Sequence, residues 1–512
     1  MRWRIILRNI CSNWAGYFVT AMIGFLLSPF IVHSLGTTGY GLWTLVLSLT
    51  GYFGLLDLGI RSSVGRFVAR YVALADDDKT CRIVTTAFAI LSFGGILALL
   101  ATGLVVEFGF GHFHVEPQFQ ASGKTALLIT GMTMAFALPF GVFSSVLVAL
   151  ERYDIVTGVT ITGELLRAAL IVIFLKTGGG LVAVALIAFF ISFSEYAAMA
   201  LVAKRLYAPL RIRRDLLDRA TFRELFGFGI YRFIWIVANQ LIFYSDSVVI
   251  GIFLSAGKIT YFAIAGSLIN YGRNVVSLVT DTFYPAATRM DAKQDLDGLR
   301  ELLILGTRIA LVVSLPLCLG FVFLGKQFIT LWMGKEYASS WIFLSVLTIP
   351  QFTAMPQYVS AMILAGMARH KVLARLVLVE GLVNLILSII LIRKMGLVGV
   401  AWGTVIPDVI CTAVIIPWYT LGVLNMSVRE YVTRAFVRPV LTVLPALGLC
   451  YCFWTLVQRI TWAIFGGEVL AICSSVALAG YFLCLESEHR KMVHLRFRRL
   501  FEREALVHEA TQ

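Results

Sequence analysis

The sequence predicts an all-α polytopic membrane protein: about fourteen transmembrane helices, set as two six-helix bundles related by a parallel repeat, plus two C-terminal helices. Three observations carry this. The 512 residues are 59% hydrophobic and 14% charged, with a mean hydropathy of +0.86. An average soluble domain is about 45–50% apolar and about 25% charged, so the apolar excess here belongs in lipid. The apolar runs are about twenty residues long, enough for a helix to cross about 30 Å of hydrocarbon, whereas barrel strands would be about ten alternating residues. Finally, Lys and Arg fall in every second loop.

The fourteen segments lie near 13–33, 40–60, 83–106, 125–149, 155–175, 181–203, 225–251, 259–285, 302–324, 340–364, 371–392, 398–420, 436–457 and 462–484. With both termini in the cytoplasm, 30 of the 43 Lys and Arg fall in inner loops and tails, 8 in outer loops and 5 within the segments. Basic residues collect on the cytoplasmic side, and one spurious segment would destroy the alternation. The same bias accounts for the net charge of +14, so no nucleic acid is expected as a partner. Met1-Arg-Trp-Arg-Ile5 opens no short apolar core with a small-residue cleavage site, so the first segment reads as a retained helix.

Taken in order, residues 1–205 form the first bundle and 206–224 a cytoplasmic linker opening with Leu206–Arg214. Residues 225–420 form the second bundle, 421–485 two further helices, and 486–512 a basic tail. Within that tail, Glu488–Leu500 interleaves basic and apolar residues, a pattern that fits an interfacial helix on anionic lipid and a solvated basic tail equally well. The repeat rests on ordered matches at nearly constant offset. Gly180-Leu-Val-Ala-Val-Ala185 matches Gly396-Leu-Val-Gly-Val-Ala401, Glu164 falls on Glu380, and Arg70 falls on Arg289. Six spans return the chain to the same side, so the repeat is parallel, with its axis along the membrane normal.

No motif points to an enzyme. Gly36-Thr-Thr-Gly-Tyr-Gly41 and Gly109-Phe-Gly-His112 lack the lysine and strand-to-helix setting of a phosphate loop and read as turns. The cysteines sit mostly in apolar segments without CxxC or Cys/His spacing. His112, His114 and Glu116 share an outer loop, too few ligands for a metal site. No cofactor and no metal are expected.

The informative residues are charges inside apolar segments. Arg232, Asn239 and Asp246 are spaced by seven and form one stripe of the seventh segment. The fifth carries Glu164 and Arg167, neighbours at i and i+3. The eighth carries Arg273, Asn274 and Asp281; the eleventh Glu380 and Asn384; the twelfth Asp408, directly after Pro407. A charge at the bilayer centre costs about 2.5–3.5 kcal/mol on insertion scales, so each must face protein or a water-filled cavity. Two readings follow. In one, these are interhelical ion pairs: Arg167 with Glu164, and Arg232 or Arg273 with Asp246 or Asp281. In the other, Arg232, Arg273 and Arg167, with Asn239 and Asn274, line a cavity and hold a phosphate, which the planar guanidinium grips at two oxygens. Glu164, Glu380, Asp246, Asp281 and Asp408 are then coupling or ion-pair carboxylates. Pro139, Pro316, Pro350, Pro356, Pro407 and Pro417 lie in or at the ends of spans, where each permits a kink.

Several stretches resemble a known family: Pro29-Phe-Ile-Val-His-Ser-Leu-Gly36, Gly39-Tyr-Gly-Leu-Trp43, Leu55-Leu-Asp-Leu-Gly-Ile60, Phe226-Gly-Phe-Gly229, Asp246-Ser-Val-Val-Ile-Gly251 and Gly396–Ala401. They are similar to the Wzx-type oligosaccharide flippases, the polysaccharide-export branch of the multidrug/oligosaccharidyl-lipid/polysaccharide (MOP) superfamily. That resemblance implies a transporter moving a polyprenyl-pyrophosphate-linked oligosaccharide across a bacterial cytoplasmic membrane by alternating access. Its implied partners are that lipid-linked substrate, membrane lipids, a polysaccharide polymerase and a chain-length regulator. The first two segments carry no deep arginine, which departs from the lipid II flippases. The alternative is a drug/cation antiporter of the multidrug-extrusion branch, which favours twelve spans and a less cationic cavity. A membrane glycosyltransferase would need a larger extramembrane loop than Glu107–Lys124.

Overall fold

The computed structural model describes residues 2–456 and 461–484, and among these every regular element is helical. Helix α1 (Arg2–Tyr52) takes in the first two predicted segments. It is broken at Gly36, whose φ of 71° is a conformation that a Cβ disfavours. Of the stretch at 36–41 expected to form a turn, only Gly36 departs from helical geometry, and residues 37–41 are helical. Gly41 supplies a close approach as well, since a Cβ there would overlap the carbonyl oxygen of Ala256.

A 3-10 turn at Phe53–Asp57 and left-handed residues Leu58 and Gly59 lead into α2 (Ile60–Ala73). The Leu55–Ile60 motif is therefore a structural corner. Arg61 lies 3.3 Å from Asp57 and donates to the Ala137 carbonyl at 2.9 Å, a path left open by Gly141. Next come α3 (Asp77–Leu104), α4 (Pro117–Ala149), α5 (Tyr153–Lys176) and α6 (Leu181–Leu206). Asp76 caps α3, and Pro117 starts α4 where its missing N–H costs nothing.

Helix α7 (Arg219–Phe253) is capped by Asp218. The Thr221 hydroxyl and the backbone N–H groups of Ala220 and Thr221 all donate to that carboxylate and hold its pKa below the usual range. Helices α8 (Ala256–Thr280), α9 (Tyr284–Ala292), α10 (Leu296–Leu319) and α11 (Gly325–Trp332) follow. Then come α12 (Ser340–Thr348), α13 (Gln351–Gly366), α14 (His370–Met395) and α15 (Leu397–Ile410). Last are α16 (Ile416–Val423), α17 (Val428–Tyr431), α18 (Val437–Leu456) and α19 (Trp462–Leu483). Widened π turns follow two in-helix prolines by four residues: Gly320–Leu324 after Pro316, and Cys411–Ile415 after Pro407. π turns also occur without a preceding proline, at Val105–Gly109 and Val432–Phe436.

Eleven stretches of the described residues are helices long and apolar enough to cross a membrane. The first, Gly16–Asp57, covers two predicted segments, while the segments at 259–285 and 340–364 fall on α8 and on α12 with α13. The described part of each predicted segment is mainly helical, the segment at 40–60 being broken at Leu58 and Gly59. The segment at 340–364 is a correction in detail: Pro350 divides it into two short helices. The tail at 486–512 lies outside the described residues.

Two compact units emerge. The first is the described chain up to Ile264 with Ala374–Pro407; the second is Ala265–Leu373 with the described residues from Asp408 onward. The core of the first joins α2, α3, α4 and α6 through residues such as Val64, Val84, Leu91, Val142 and Val146. A second layer joins α1, α5 and α6 through Ile31, Ile171, Val184 and Ile187. Lipid is as apolar as these side chains, so helix association there depends on close packing and small residues more than on escape from water. Gly131 against Thr102 and Gly95 against the Ala135 carbonyl are such close approaches.

In the second unit Leu303, Ile304, Met355 and Val359 form one core, and α18 and α19 pack on α10 through Leu315, Val443, Ala446 and Ile472. Arginines tie its helix ends: Arg300 donates to the Leu424 and Asn425 carbonyls at 2.7 and 3.0 Å, and Arg308 to the Arg434 carbonyl at 2.7 Å. We expect Gly41→Val to remove several kcal/mol of packing, more than the roughly 1–3 kcal/mol of ordinary overpacking, because the obstacle is backbone. Gly103→Ala, in open space, should be neutral. Thermal unfolding of detergent-purified variants checks this, and equal melting temperatures would contradict it.

Candidate functional site

Three polar clusters are built into apolar helices, one in the second unit and two in the first. In the first unit, α5 presents Glu164 and Arg167 on one face, and Arg167 Nη1 donates to Glu164 Oε1 at 2.8 Å. The other arm of the guanidinium reaches α6, with Nη2 3.4 Å from Ser192 Oγ and 3.6 Å from Glu195 Oε1. Gly163 makes this possible, since a Cβ there would collide with the Glu195 carboxylate. Two carboxylates thus share one arginine, leaving one formal negative charge in surplus. Glu195 Oε1 has no hydrogen-bond partner among the described residues.

The second cluster surrounds Asp246 on α7, which is only 6% exposed. Thr404 Oγ1 on α15 donates to its Oδ2 at 3.0 Å. Ser388 Oγ on α14 lies 3.5 Å from its Oδ1 and 3.4 Å from Asn384 Oδ1. Gly403 lets α15 press against Ser388, and Gly399 against the Leu391 carbonyl, so the hydroxyls are set by backbone contact.

The third cluster, in the second unit, is centred on Arg273 of α8. Its Nε donates to Gln351 Oε1 at 2.9 Å, and its Nη2 to Asp408 Oδ2 at 3.2 Å. Gln351 and Asp408 are buried, while the arginine side chain keeps 18% of its surface. Position follows from the prolines: Gln351 opens α13 directly after Pro350, and Asp408 follows Pro407 just before the π turn. Thr412 Oγ1 closes that turn on the Asp408 carbonyl at 2.7 Å.

The ion pair expected between Arg167 and Glu164 is present. For Arg273 the expectation is corrected: its carboxylate is Asp408, where the sequence suggested Asp246 or Asp281. Asp281 is exposed in the turn after α8, and Asp246 accepts from hydroxyls. Asn239 and Asn274 are half-buried on α7 and α8, and Glu380 is half-buried on α14. The side chain of Arg232 lies outside the described residues. Sequence reasoning passed over Glu195, Gln351, Ser388 and Thr404. Glu195 was visible as a charge within an apolar run; the others are ordinary polar residues that only folding brings beside a charge. Glu468 on α19 was also missed. It is 3% exposed, and neither carboxylate oxygen has a hydrogen-bond partner among the described residues.

Removing one partner of a buried pair leaves the other charge uncompensated, at about 3–5 kcal/mol. Arg273→Ala should therefore lower the melting temperature sharply, and adding Asp408→Asn should restore much of it. A double variant no more stable than the single would show that the two groups are not coupled.

The chain matches the family described as "Polysaccharide biosynthesis protein" over residues 6–291. It is 22% identical over 425 residues to a Shigella flexneri protein provisionally named an O-antigen transporter, covering 81% of this chain and 97% of that one. It is 21% identical over 394 residues to a Haloferax volcanii protein provisionally named the flippase AglR, covering 75% and 77%. Among solved structures it resembles the lipid II flippase MurJ in an inward closed conformation, with a TM-score of 0.70 and 16% identity over 92% of this chain and 98% of that one. An inward-facing multidrug resistance MATE transporter of the MOP superfamily superposes with a TM-score of 0.69 and 14% identity, over 79% and 95%. The fold is that of the MOP transporters, and the match over more than half its length shows that the chain belongs to the polysaccharide biosynthesis protein family.

Proposed function

We propose that this protein is a flippase, not an enzyme, that carries a polyprenyl-pyrophosphate-linked oligosaccharide across the cytoplasmic membrane for cell-surface polysaccharide assembly. The observation that carries the reading is the pair of arginines, Arg167 and Arg273, held half-open within apolar helices by carboxylate partners. A pyrophosphate headgroup cannot cross hydrocarbon with its charge bare. An arginine held by a carboxylate can exchange that carboxylate for a phosphate oxygen without ever standing uncompensated. Asp408 is then the group displaced from Arg273, and Gln351 keeps the guanidinium in place meanwhile. Arg232, Asn239 and Asn274 complete the proposed headgroup lining, with Arg232 assigned on sequence grounds.

The surplus charge of the Glu164–Arg167–Glu195 group suits coupling, because a carboxylate without its own counter-ion is where a proton or monovalent cation binds. Glu380, Asp246 and Asp281 remain secondary candidates for that role. Both termini are proposed to be cytoplasmic, from the Lys and Arg bias. The polymerase and chain-length regulator are proposed partners that act on the product after transfer.

The antiporter reading shares the fold, so shape alone does not separate the two. The family match and the named relatives favour the flippase, as does coverage: the lipid II flippase spans 92% of the chain and the multidrug transporter 79%.

The test is polymer export in a host lacking its own copy of this gene. Export should be abolished by Arg232→Ala with Arg273→Ala, and also by Arg273→Ala with Asp408→Asn, which keeps the buried pair balanced. Membrane insertion is measured alongside by immunoblot. Normal export from both inserted variants would sink the headgroup assignment.

A further inference from the structure

A groove of about 630 Å³ lies on the first unit, sharing no residue with the three clusters, between α3, the corner before α2 and the start of α7. One stripe of α3 forms its floor: Thr86, Ala89, Ile90, Phe93, Gly94 and Leu97. These positions share a helix face and run about 16 Å along it. Leu56 and Leu58 form one wall, and Leu217, Phe222 and Phe226 the other. Gly94 keeps the floor low, since a Cβ there would press on the Leu56 carbonyl. Phe93 and Phe222 stand exposed at the sides. Asp218 and Arg219 close one end, where the linker is strapped to α3 by bonds from Cys81 and Thr85 to the Pro209 and Arg211 carbonyls.

One feature of this groove is chemically specific. Thr86 is 4% exposed, yet its hydroxyl has no hydrogen-bond partner among the described residues. Most threonines in these helices donate to the carbonyl four residues back, as Thr102 does to Ala98. A buried hydroxyl without a partner costs about 1–3 kcal/mol. Among the lining side chains only Asp218 offers an acceptor, and its carboxylate is taken up at the end of the groove by Ala220 and Thr221, so the Thr86 hydroxyl calls for an acceptor on whatever fills the groove.

We propose that this groove binds one anionic diacyl glycerophospholipid. The order along α3 matches the order of groups in such a lipid. Arg82, paired with Asp78 at 2.7 Å, stands one helix turn, about 6 Å, from Thr86, and Arg219 lines the same end. The segment 204–223 carries seven Lys and Arg against two Asp, a basic rim at phosphate level. Thr86 lies at the level of the ester, whose carbonyl oxygen accepts its hydroxyl. Beyond it, Ala89, Ile90, Phe93 and Leu97 receive the acyl chain. The ester distinguishes this ligand from a polyprenyl pyrophosphate, which has phosphate and hydrocarbon but no carbonyl between them. A lipid seated here joins α3, the linker and the start of α7.

The test uses the full chain in detergent, with bound lipid counted by native mass spectrometry during titration with dioleoyl phosphatidylglycerol. One lipid should be retained. Arg219→Ala should weaken retention about tenfold or more, as for a charge-assisted bond, and Thr86→Val about three- to tenfold. Thr86→Ser should retain it. The ether-linked analogue of the same lipid should bind the unaltered protein as weakly as the ester lipid binds Thr86→Val, with no further loss in that variant. Melting temperatures without lipid, equal across the set, exclude misfolding. Unchanged retention in Arg219→Ala and Thr86→Val would overturn the proposal. So would equal binding of ester and ether lipids, or preferential displacement by a polyprenyl pyrophosphate, which would assign the groove to the substrate instead.

Discussion

Carboxylates and guanidinium groups placed where lipid would otherwise surround them constrain this protein more than any other feature. Such a group calls for a counter-charge or a hydrogen-bond partner inside the protein, an acceptor for a guanidinium and a donor for a carboxylate, since the hydrocarbon offers neither; among the described residues the buried Glu468 lacks a hydrogen-bond partner. Arg167 between Glu164 and Glu195, Arg273 between Gln351 and Asp408, and Asp246 beneath Thr404 and Ser388 are three solutions of that one problem. They differ in what is left over. Among the described residues, the first sets two carboxylates against one arginine, the second pairs one with one, and the third is a carboxylate that accepts from hydroxyls. A transporter that must accept and release a charged headgroup needs this variety, because a fully balanced interior would have no reason to bind anything.

Glycine and proline make those solutions geometrically possible. Gly163 lets the Glu195 carboxylate approach α5, and Gly403 brings α15 against Ser388. Pro350 and Pro407 break or loosen the helices beside the two residues that hold Arg273. In lipid there is little hydrophobic drive between helices, so close backbone approach is the source of affinity as well as of precision. The same residues that leave gaps for charges also set where the helices yield. Two of the π turns follow in-helix prolines, Pro316 and Pro407, by four residues.

The α3 groove extends this logic to the lipid itself. Thr86 is the one polar group of an apolar stripe on α3, and its hydroxyl has no hydrogen-bond partner among the described residues. Treating the bilayer as a chemical partner, with ester and phosphate at fixed depths, turns an unexplained hydroxyl into a statement about ligand identity. The basic linker, read from sequence only as a divider between bundles, then becomes the rim of that site.

How much of this was legible in advance depends on the range of the interaction. Span positions, the break at Gly36, the intramembrane charges and the Glu164–Arg167 neighbour pair are local or periodic, and composition with helical spacing expresses them directly. The counter-ion of Arg273 was not legible, because Asp408 is 135 residues away and no short-range pattern ties them. Glu195 was in plain view but carried no mark of its role, which depends on Gly163 of a neighbouring helix offering room. The division of 340–364 into two helices was half legible, since Pro350 was noted as a kink and its backbone break was not foreseen. Sequence alone thus determined that the chain enters lipid and which charges lie within its apolar segments. Tertiary structure decided which of those charges meet and which buried hydroxyl is left without a partner among the described residues, because pairing depends on distances across helices that the linear order does not contain.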